Sequence, residues 1–488
     1  MSNFSRITGI SLKNFKNVEY GRIADLEFSE ESPSILGLYG QNGSGKTAVV
    51  EACQLLKCVM SGLRIPDRFV HAISYGKEYA ELVFSFVLRV KDKKQAEKPY
   101  VVVHADYAFK ITGQEKISLD DNESREQVKI FDEVIKISCK ENAKFLRQNV
   151  LIDTSQKNPY APLYLFKDRD LRNRSPHIDE ELSNIKYLAQ NSAVSAIFND
   201  RVMAVLFKVD NDFFKSVLNA LKLYALTGLC VITTKDQNIL DFGLMSMSMG
   251  LLEKRSDNGE EINTAVGTMI LPLLSKVQIP LEQAKIIEQA VASLNNVLES
   301  LIPGLSVQLC EKNVSTDAKG QEVCNIEVYS LRKSVKVPLE FESNGIKKLI
   351  SILQLIIAVF NRSDVTAVID ELDAGIFEYL LGDLLSVIAE KGKGQFFFTS
   401  HNLRPLELLD KKYLCFTSVN PTNRYVRAKG IKSNNNIRDL YIRELQLGGQ
   451  KDPLYESTDK SRIAFNLYKA GMPILYESGT DDLRWTFG

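Results

Sequence analysis

No two of the seven cysteines stand as C-x-x-C, and only four histidines accompany them. That inventory leaves no ligand set for a zinc site and no framework of disulfides, and reduced thiols in a cytoplasmic protein fit it best. Charge of one sign is lacking too. Lys and Arg number 61, as do Asp and Glu, so no global field favours nucleic acid or a membrane surface, and any such contact has to come from a local patch. Residues 1–6 carry no apolar core of a signal peptide and lead straight into a strand-like segment. The longest apolar stretch, residues 349–360, falls short of the roughly 20 residues a spanning helix needs and reads as a buried helix, with no membrane partner. No heptad run extends over many turns, so the sequence does not support a long coiled-coil arm. What remains is a chain of 488 residues, 44% hydrophobic, ample for packed cores in about two to four domains or in one large domain with an insertion.

Against those absences stands Gly40-Gln41-Asn42-Gly43-Ser44-Gly45-Lys46-Thr47, which fits the phosphate-loop pattern G-x-x-x-x-G-K-[ST] at every fixed position. It follows the apolar run Ser34–Tyr39, and a buried strand feeding such a loop is the context that gives the pattern meaning. Gly40, Gly43 and Gly45 let the backbone turn tightly, so that successive N–H groups through Asn42 and Ser44 converge on a phosphate while Lys46 adds a point charge. Thr47 offers its hydroxyl to Mg²⁺, and residues 48–56 read as the helix whose positive N-terminus completes an anion site for ATP. Far downstream, Val365-Thr366-Ala367-Val368-Ile369 reads as a buried strand that closes in Asp370-Glu371. Asp370 is placed to accept from Mg²⁺-bound water or from Thr47, and Glu371 to polarise an attacking water, as ATP hydrolysis requires.

The pattern along the chain predicts an α/β fold in four stretches. Residues 1–165 form an N-terminal lobe around the phosphate loop, with strands at 7–12 and 24–28 and antiparallel hairpins from 80–88 and 100–104. Residues 166–303 read as a mainly helical insertion, a short projection of two or three helices that includes 212–224 and a helix opened by Pro280. Residues 304–420 return to strands and complete the nucleotide-binding half. Residues 421–488 form a short extension with a strand at 424–428, a helix at 437–445 and a polar tail.

The combination resembles the ABC-type ATPase heads of the SMC, RecF and OLD group, often catalogued with the AAA ATPases. Ile10-Ser11-Leu12-Lys13-Asn14-Phe15-Lys16-Asn17 is similar to that group's N-terminal strand, and Leu372-Asp373-Ala374-Gly375 falls where its D-loop lies. Phe396-Phe397-Phe398-Thr399-Ser400-His401-Asn402 resembles its final strand and switch histidine. The resemblance implies that His401 contacts the γ-phosphate and that Asp373 belongs to the nucleotide site. Glu342-Ser343-Asn344-Gly345-Ile346-Lys347-Lys348-Leu349 stands where the group's signature motif is expected, ahead of Asp370. A serine and a glycine at a helix N-terminus offer a hydroxyl, backbone N–H groups and a favourable dipole to a phosphate. In the family this surface meets ATP bound to the opposite subunit, so the resemblance implies a homodimer or higher homo-oligomer of heads whose sites Ser343 and Gly345 complete. Asn344 stands where the usual motif has its first glycine, a departure also seen among OLD-like heads.

Other features stay outside this scheme. Leu445-Gln446-Leu447-Gly448-Gly449-Gln450 is closer to the signature by its letters, but it lacks the serine and follows a helix, so it reads as a C-terminal glycine turn. The family's Q-loop glutamine is open between Gln148 and Gln156. His104 and His177 have no partners at catalytic spacing, and the basic stretches 167–174 and 424–432 read as exposed loops.

OLD-type nucleases carry a Toprim domain after the head, yet only about 85 residues follow His401 here, and Asp481-Asp482 has no such setting, so no nuclease within the chain is expected. Stand-alone heads with a short helical insertion resemble the ATPase subunits of bacterial phage-defence systems, Septu-like, PARIS-like and retron-linked, in which a separately encoded nuclease or toxin is held and released. The expected function is therefore an ATP-hydrolysing sensor or regulatory subunit with an effector protein as partner. The alternative is an SMC- or RecF-like repair clamp on DNA, which needs a basic groove that the neutral composition does not favour. A transporter motor would place its signature roughly 100 residues after the phosphate loop, where this chain inserts about three times as many. A scaffold with a decayed site conflicts with the presence of Lys46, Thr47, Asp370, Glu371 and His401.

Overall fold

The computed structural model describes residues 4–26, 32–91, 100–117, 124–141, 144–145, 147–155, 176–207, 212–234, 244–253, 262–272, 277–317, 320–333, 335–427, 437–447, 453–455 and 459–470. Period-two alternation builds the first layer. Strands β1 (Phe4–Phe15) and β2 (Val18–Ile23) form a hairpin, and the chain then crosses to β3 (Ser34–Tyr39) and helix α1 (Lys46–Met60). It returns as β4 (Ala80–Lys91), β5 (Tyr100–Ile117), β6 (Ser124–Glu141), β7 (Lys144–Phe145) and β8 (Asn149–Asp153), giving an antiparallel sheet in the order β2-β1-β4-β5-β6. The inward residues of β4 and β5, among them Leu82, Phe84, Phe86, Tyr107 and Phe109, pack with Val49, Cys53 and Leu56 of α1 in one core. The expected strand over 24–28 is displaced: β2 ends at Ile23, Ala24 to Leu26 are irregular, and residues 27–31 lie outside the described residues.

Three helices come next, α2 (Pro176–Asn191), α3 (Asp200–Leu206) and α4 (Asp212–Leu223). Far from projecting, they and the turn between α2 and α3 lay Phe198, Val202, Phe214, Val217 and Leu218 into the same core as the antiparallel sheet. Glu133 of β6 fastens them there. Fully buried, its carboxylate accepts from the hydroxyls of Tyr107 and Ser195 and from the Ala196 N–H, each at 2.6 Å. Glu133→Ala leaves three buried donors without an acceptor and lowers stability by roughly 2–5 kcal/mol, read from the urea midpoint; an unmoved midpoint would refute the anchor. Burial pushes the Glu133 pKa up. A folded-state pKa above the unfolded one favours the protonated form, so the stability it contributes is complete below the ordinary carboxylate range. It is lost as pH rises through the raised value, a slope that Glu133→Gln removes.

Beyond α4 the stretch 166–303, expected as a mainly helical block, also carries strands that its pattern did not announce. A single π-helical turn, Tyr224–Gly228, ends the helix, and β9 (Leu229–Ile232) joins the edge of the nucleotide-binding sheet. Four β-friendly residues directly after a helical run are too few to show their own period, so the pairing that decides their state is tertiary. The hairpin of β10 (Leu244–Glu253) and β11 (Ile262–Pro272) adds two more strands. After it run β12 (Val277–Pro280), α5 (Leu281–Leu301), β13 (Leu305–Thr316), β14 (Glu322–Arg332) and β15 (Val335–Pro338). Pro280 does stand at the start of α5, as its missing N–H favours. Strands β12 to β15 form an antiparallel sheet against which α5 buries Ile287, Val291, Leu294 and Leu298.

Helix α6 (Asn344–Asn361) leads into β16 (Thr366–Ile369), α7 (Glu378–Lys391), β17 (Gln395–Thr399), α8 (Arg404–Leu408), β18 (Leu414–Thr417) and β19 (Tyr425–Arg427). The central sheet runs β19-β18-β3-β17-β16-β9, parallel except for β19. Among the described residues α6 is the one helix long and apolar enough to cross a membrane by length and composition, but half of that window is buried, and it packs Ile352, Leu355 and Val359 on the central sheet. The described residues of the last stretch form α9 (Ile437–Leu447), as expected, and α10 (Lys460–Ala470), which the polar tail did not announce.

Candidate active site

Strand β3 is buried along its whole length and delivers the chain to the phosphate loop at Gly40. Gly45 turns with φ +99°, a backbone conformation that favours glycine, and a Cβ there would stand a tight 3.1 Å from the side chains of Val18 and Arg424. The loop is braced from behind by the β18–β19 hairpin. The Ser44 hydroxyl donates to the Gln41 carbonyl at 2.6 Å and meets the Thr417 hydroxyl, and the Tyr425 hydroxyl donates to the Gly45 carbonyl at 2.9 Å. Arg424, expected in an exposed basic loop, is only 6% exposed; its guanidinium donates to the carbonyls of Ser418 (2.8 Å) and Asn17 (2.7 Å). The reason is topological: β18 pairs with β3, which carries Arg424 in behind the loop. The Asn17 amide donates to the Gly43 carbonyl. Thr417, Arg424 and Tyr425 are thus parts of the site that no spacing in the sequence marks, and Asn17 joins them from the end of the N-terminal run.

Lys46 is buried and donates to the carbonyls of Gly40 (2.8 Å) and Gln41 (3.1 Å). Burial lowers its pKa, against the opposing pull of Asp370, Glu371 and Asp373. The Thr47 hydroxyl lies 3.5 Å from Asp370 Oδ1, which also accepts from Thr399 Oγ1 at 2.6 Å. Thr399 is a further residue that sequence reasoning passed over, although it stands two places before His401. Its oxygen accepts the Glu371 N–H at 2.7 Å, while the Asp370 N–H goes to the Ile232 carbonyl of β9. The acidic pair is therefore held by strands on both sides. Glu371 has φ +46°, a left-handed conformation unusual for a residue with a Cβ.

These groups meet at a cavity of about 1130 Å³. Asn42, Gly43, Gly45, Lys46, Thr47, Asp370, Glu371, Thr399 and His401 line one side; Lys16, residues 73–78 and residues 112–115 line the other. Gln114 is in that wall, whereas Gln148 is exposed elsewhere and donates to Asp106 at 2.6 Å; Gln156 lies outside the described residues. Asp373 stays off the wall and accepts the His401 N–H at 3.0 Å. Ser343 caps α6, its hydroxyl accepting from the Ile346 N–H at 3.4 Å, and Gly345 is pressed against Gly375. Neither Ser343 nor Gly345 lines the cavity of its own chain. Further along α6, Lys348 is buried and donates to the Glu371 carbonyl; burial brings its pKa down to about 8 against the pull of Asp373, Glu371 and Asp370. The alternative glycine turn at 448–450, the loop 167–174 and the tail pair Asp481-Asp482 lie outside the described residues.

A profile of the AAA ATPase domain matches residues 6–404, most of the chain. The chain belongs to the AAA ATPase domain family. This AAA protein is accordingly an ATPase, and it combines a mostly parallel six-stranded sheet that carries the phosphate loop with an antiparallel layer. Solved structures of similar fold include an SMC head bound to the C-winged helix domain of ScpA, 13% identical over 86% of this chain and 98% of that one, with a TM-score of 0.39. The SMC head domain from Thermotoga maritima is 13% identical over 87% and 99% (TM-score 0.33), and the recombination mediator RecF of the RecFOR pathway 13% over 81% and 93% (TM-score 0.31). No curated protein matches the chain in sequence.

Proposed function

We propose that this ATPase works as a pair of heads, in a dimer or higher homo-oligomer, that sandwich ATP between them, and that the resulting switch holds or releases a separately encoded effector, a nuclease or toxin of a phage-defence system. One observation supports the pairing above others: Lys46, Thr47, Asp370, Glu371 and His401 share a cavity wall, while Ser343 and Gly345 at the capped N-terminus of α6 do not line that cavity. A phosphate-binding helix end that does not serve its own cavity is free to serve a second copy's. In this reading Lys46 moves from the loop carbonyls to the β- and γ-phosphates, and the N–H groups of Gly40 to Gly45, Asn42 and Ser44 included, cradle the β-phosphate. Glu371 accepts the hydrogen bond of a water whose oxygen attacks the γ-phosphorus as ADP leaves, and His401 contacts the γ-phosphate. Asp373 holds His401 in place through its main chain.

The Thr47 hydroxyl and the Asp370 carboxylate are hard oxygen donors 3.5 Å apart, a set that fits Mg²⁺ directly or through its waters. When bound there, the ion neutralises charge on the phosphate oxygens. The effector role is tested by purifying the tagged Glu371→Gln chain from its native host and identifying what accompanies it. A stoichiometric nuclease or toxin encoded alongside supports the proposal, and duplex DNA without a protein partner replaces it with a repair clamp.

A further inference from the structure

The turn that carries Glu371 is tied to α6 at two points. At the near end, the Lys348 ammonium donates to the Glu371 carbonyl, which also accepts the Ala374 N–H at 3.0 Å. At the far end, Gly345 and Gly375 meet backbone to backbone. Lys348 is only 5% exposed, so its ammonium is committed to this turn and not to solvent. Glu371 needs such holding, because its left-handed backbone is a conformation that persists only when its surroundings impose it. From the other side, Thr399 holds the Glu371 N–H. The side chain's direction is thus set by β17 through the amide and by α6 through the carbonyl.

We infer that Lys348 is a positioning residue, which aims the Glu371 carboxylate into the cavity according to where α6 stands. It rests on the two-head reading above: when the N-terminus of α6 engages nucleotide held by a second copy, the shift of the helix reaches this copy's own base through Lys348 and the Gly345–Gly375 contact. Turnover in one head then depends on whether that head is docked on its neighbour.

The test compares ATP hydrolysis by Lys348→Met, Lys348→Arg, Glu371→Gln and the Lys348→Met/Glu371→Gln double variant, with binding of a fluorescent ATP analogue and thermal unfolding measured alongside. Lys348→Met should lower kcat at least tenfold with KM within about threefold, since the lost interaction matters only once chemistry begins. Lys348→Arg, which keeps a donor, should recover most of the rate, and the double variant should be no slower than Glu371→Gln alone. The parent's turnover per chain should rise with protein concentration, and that rise should be lost in Lys348→Met. If Lys348→Met does not fold, Lys348→Gln takes its place with the same expectations. Parental turnover in Lys348→Met beside an inactive Glu371→Gln overturns the inference alone, as does a double variant slower than both singles. Parental turnover in Glu371→Gln overturns the assignment of the base itself, and the inference with it.

Discussion

Glu371→Gln lowers kcat for ATP hydrolysis by roughly 10²–10³-fold while ATP stays bound. The amide fills the same volume, and the main chain that fixes its position, held by Thr399 and by Lys348, is untouched. In the proposed reading, what is lost is an acceptor for the proton of the attacking water. Binding in that reading rests on other groups, namely the phosphate loop and Lys46, so nucleotide affinity is expected to stay close to the parent's. The expected readout is a chain that elutes at twice its mass in the presence of ATP and Mg²⁺ and holds unhydrolysed ATP after prolonged incubation. Turnover equal to the parent's would remove Glu371 from the base role and shift attention to His401, an exposed titratable group on the same wall.

Gly345→Ala should be almost as damaging, for a different reason. A Cβ at this position would lie 1.9 Å from the Gly375 carbonyl oxygen, and both contacting groups are main chain. Gly375 has φ +77° and cannot relax into ordinary helical or extended backbone without rebuilding its turn. The clash is therefore relieved by moving the turn away from α6 by an ångström or more. A displacement of that size at a catalytic group costs on the order of 10²-fold in rate, although the overpacking itself costs only about 1–3 kcal/mol of stability. Steady-state hydrolysis and a melting curve taken on the same preparation separate the two. A variant that melts early but turns over normally once folded would show that the contact is packing alone.

How much was legible depended on whether a function is written in consecutive residues. The phosphate loop, Asp370-Glu371 and His401 each sit in a run of neighbours whose spacing is the chemistry, and the structure brings them to one cavity. Ser343 was legible as a cap because a hydroxyl before an apolar helical run reads locally. Thr399 was overlooked because a threonine closing a strand is commonplace until β17 is laid beside β16. The brace formed by Thr417, Arg424 and Tyr425 could not be read at all, since it arises from the pairing of β18 with β3 across more than 370 residues of chain. The same holds for β9, whose four residues are ordinary until Thr366 to Ile369 line up against them.

That strand also gives the molecule a mechanical property. Ile232 is the last residue of β9 and its carbonyl holds the Asp370 amide, while the chain that continues from it enters the β10–β11 hairpin, which runs alongside α6. Tension applied to the hairpin along the direction of β9 is carried in shear by the parallel ladder from Leu229 to Ile232, so its bonds are loaded together and not one after another. The hairpin is in effect a handle whose cable ends at the Asp370 amide.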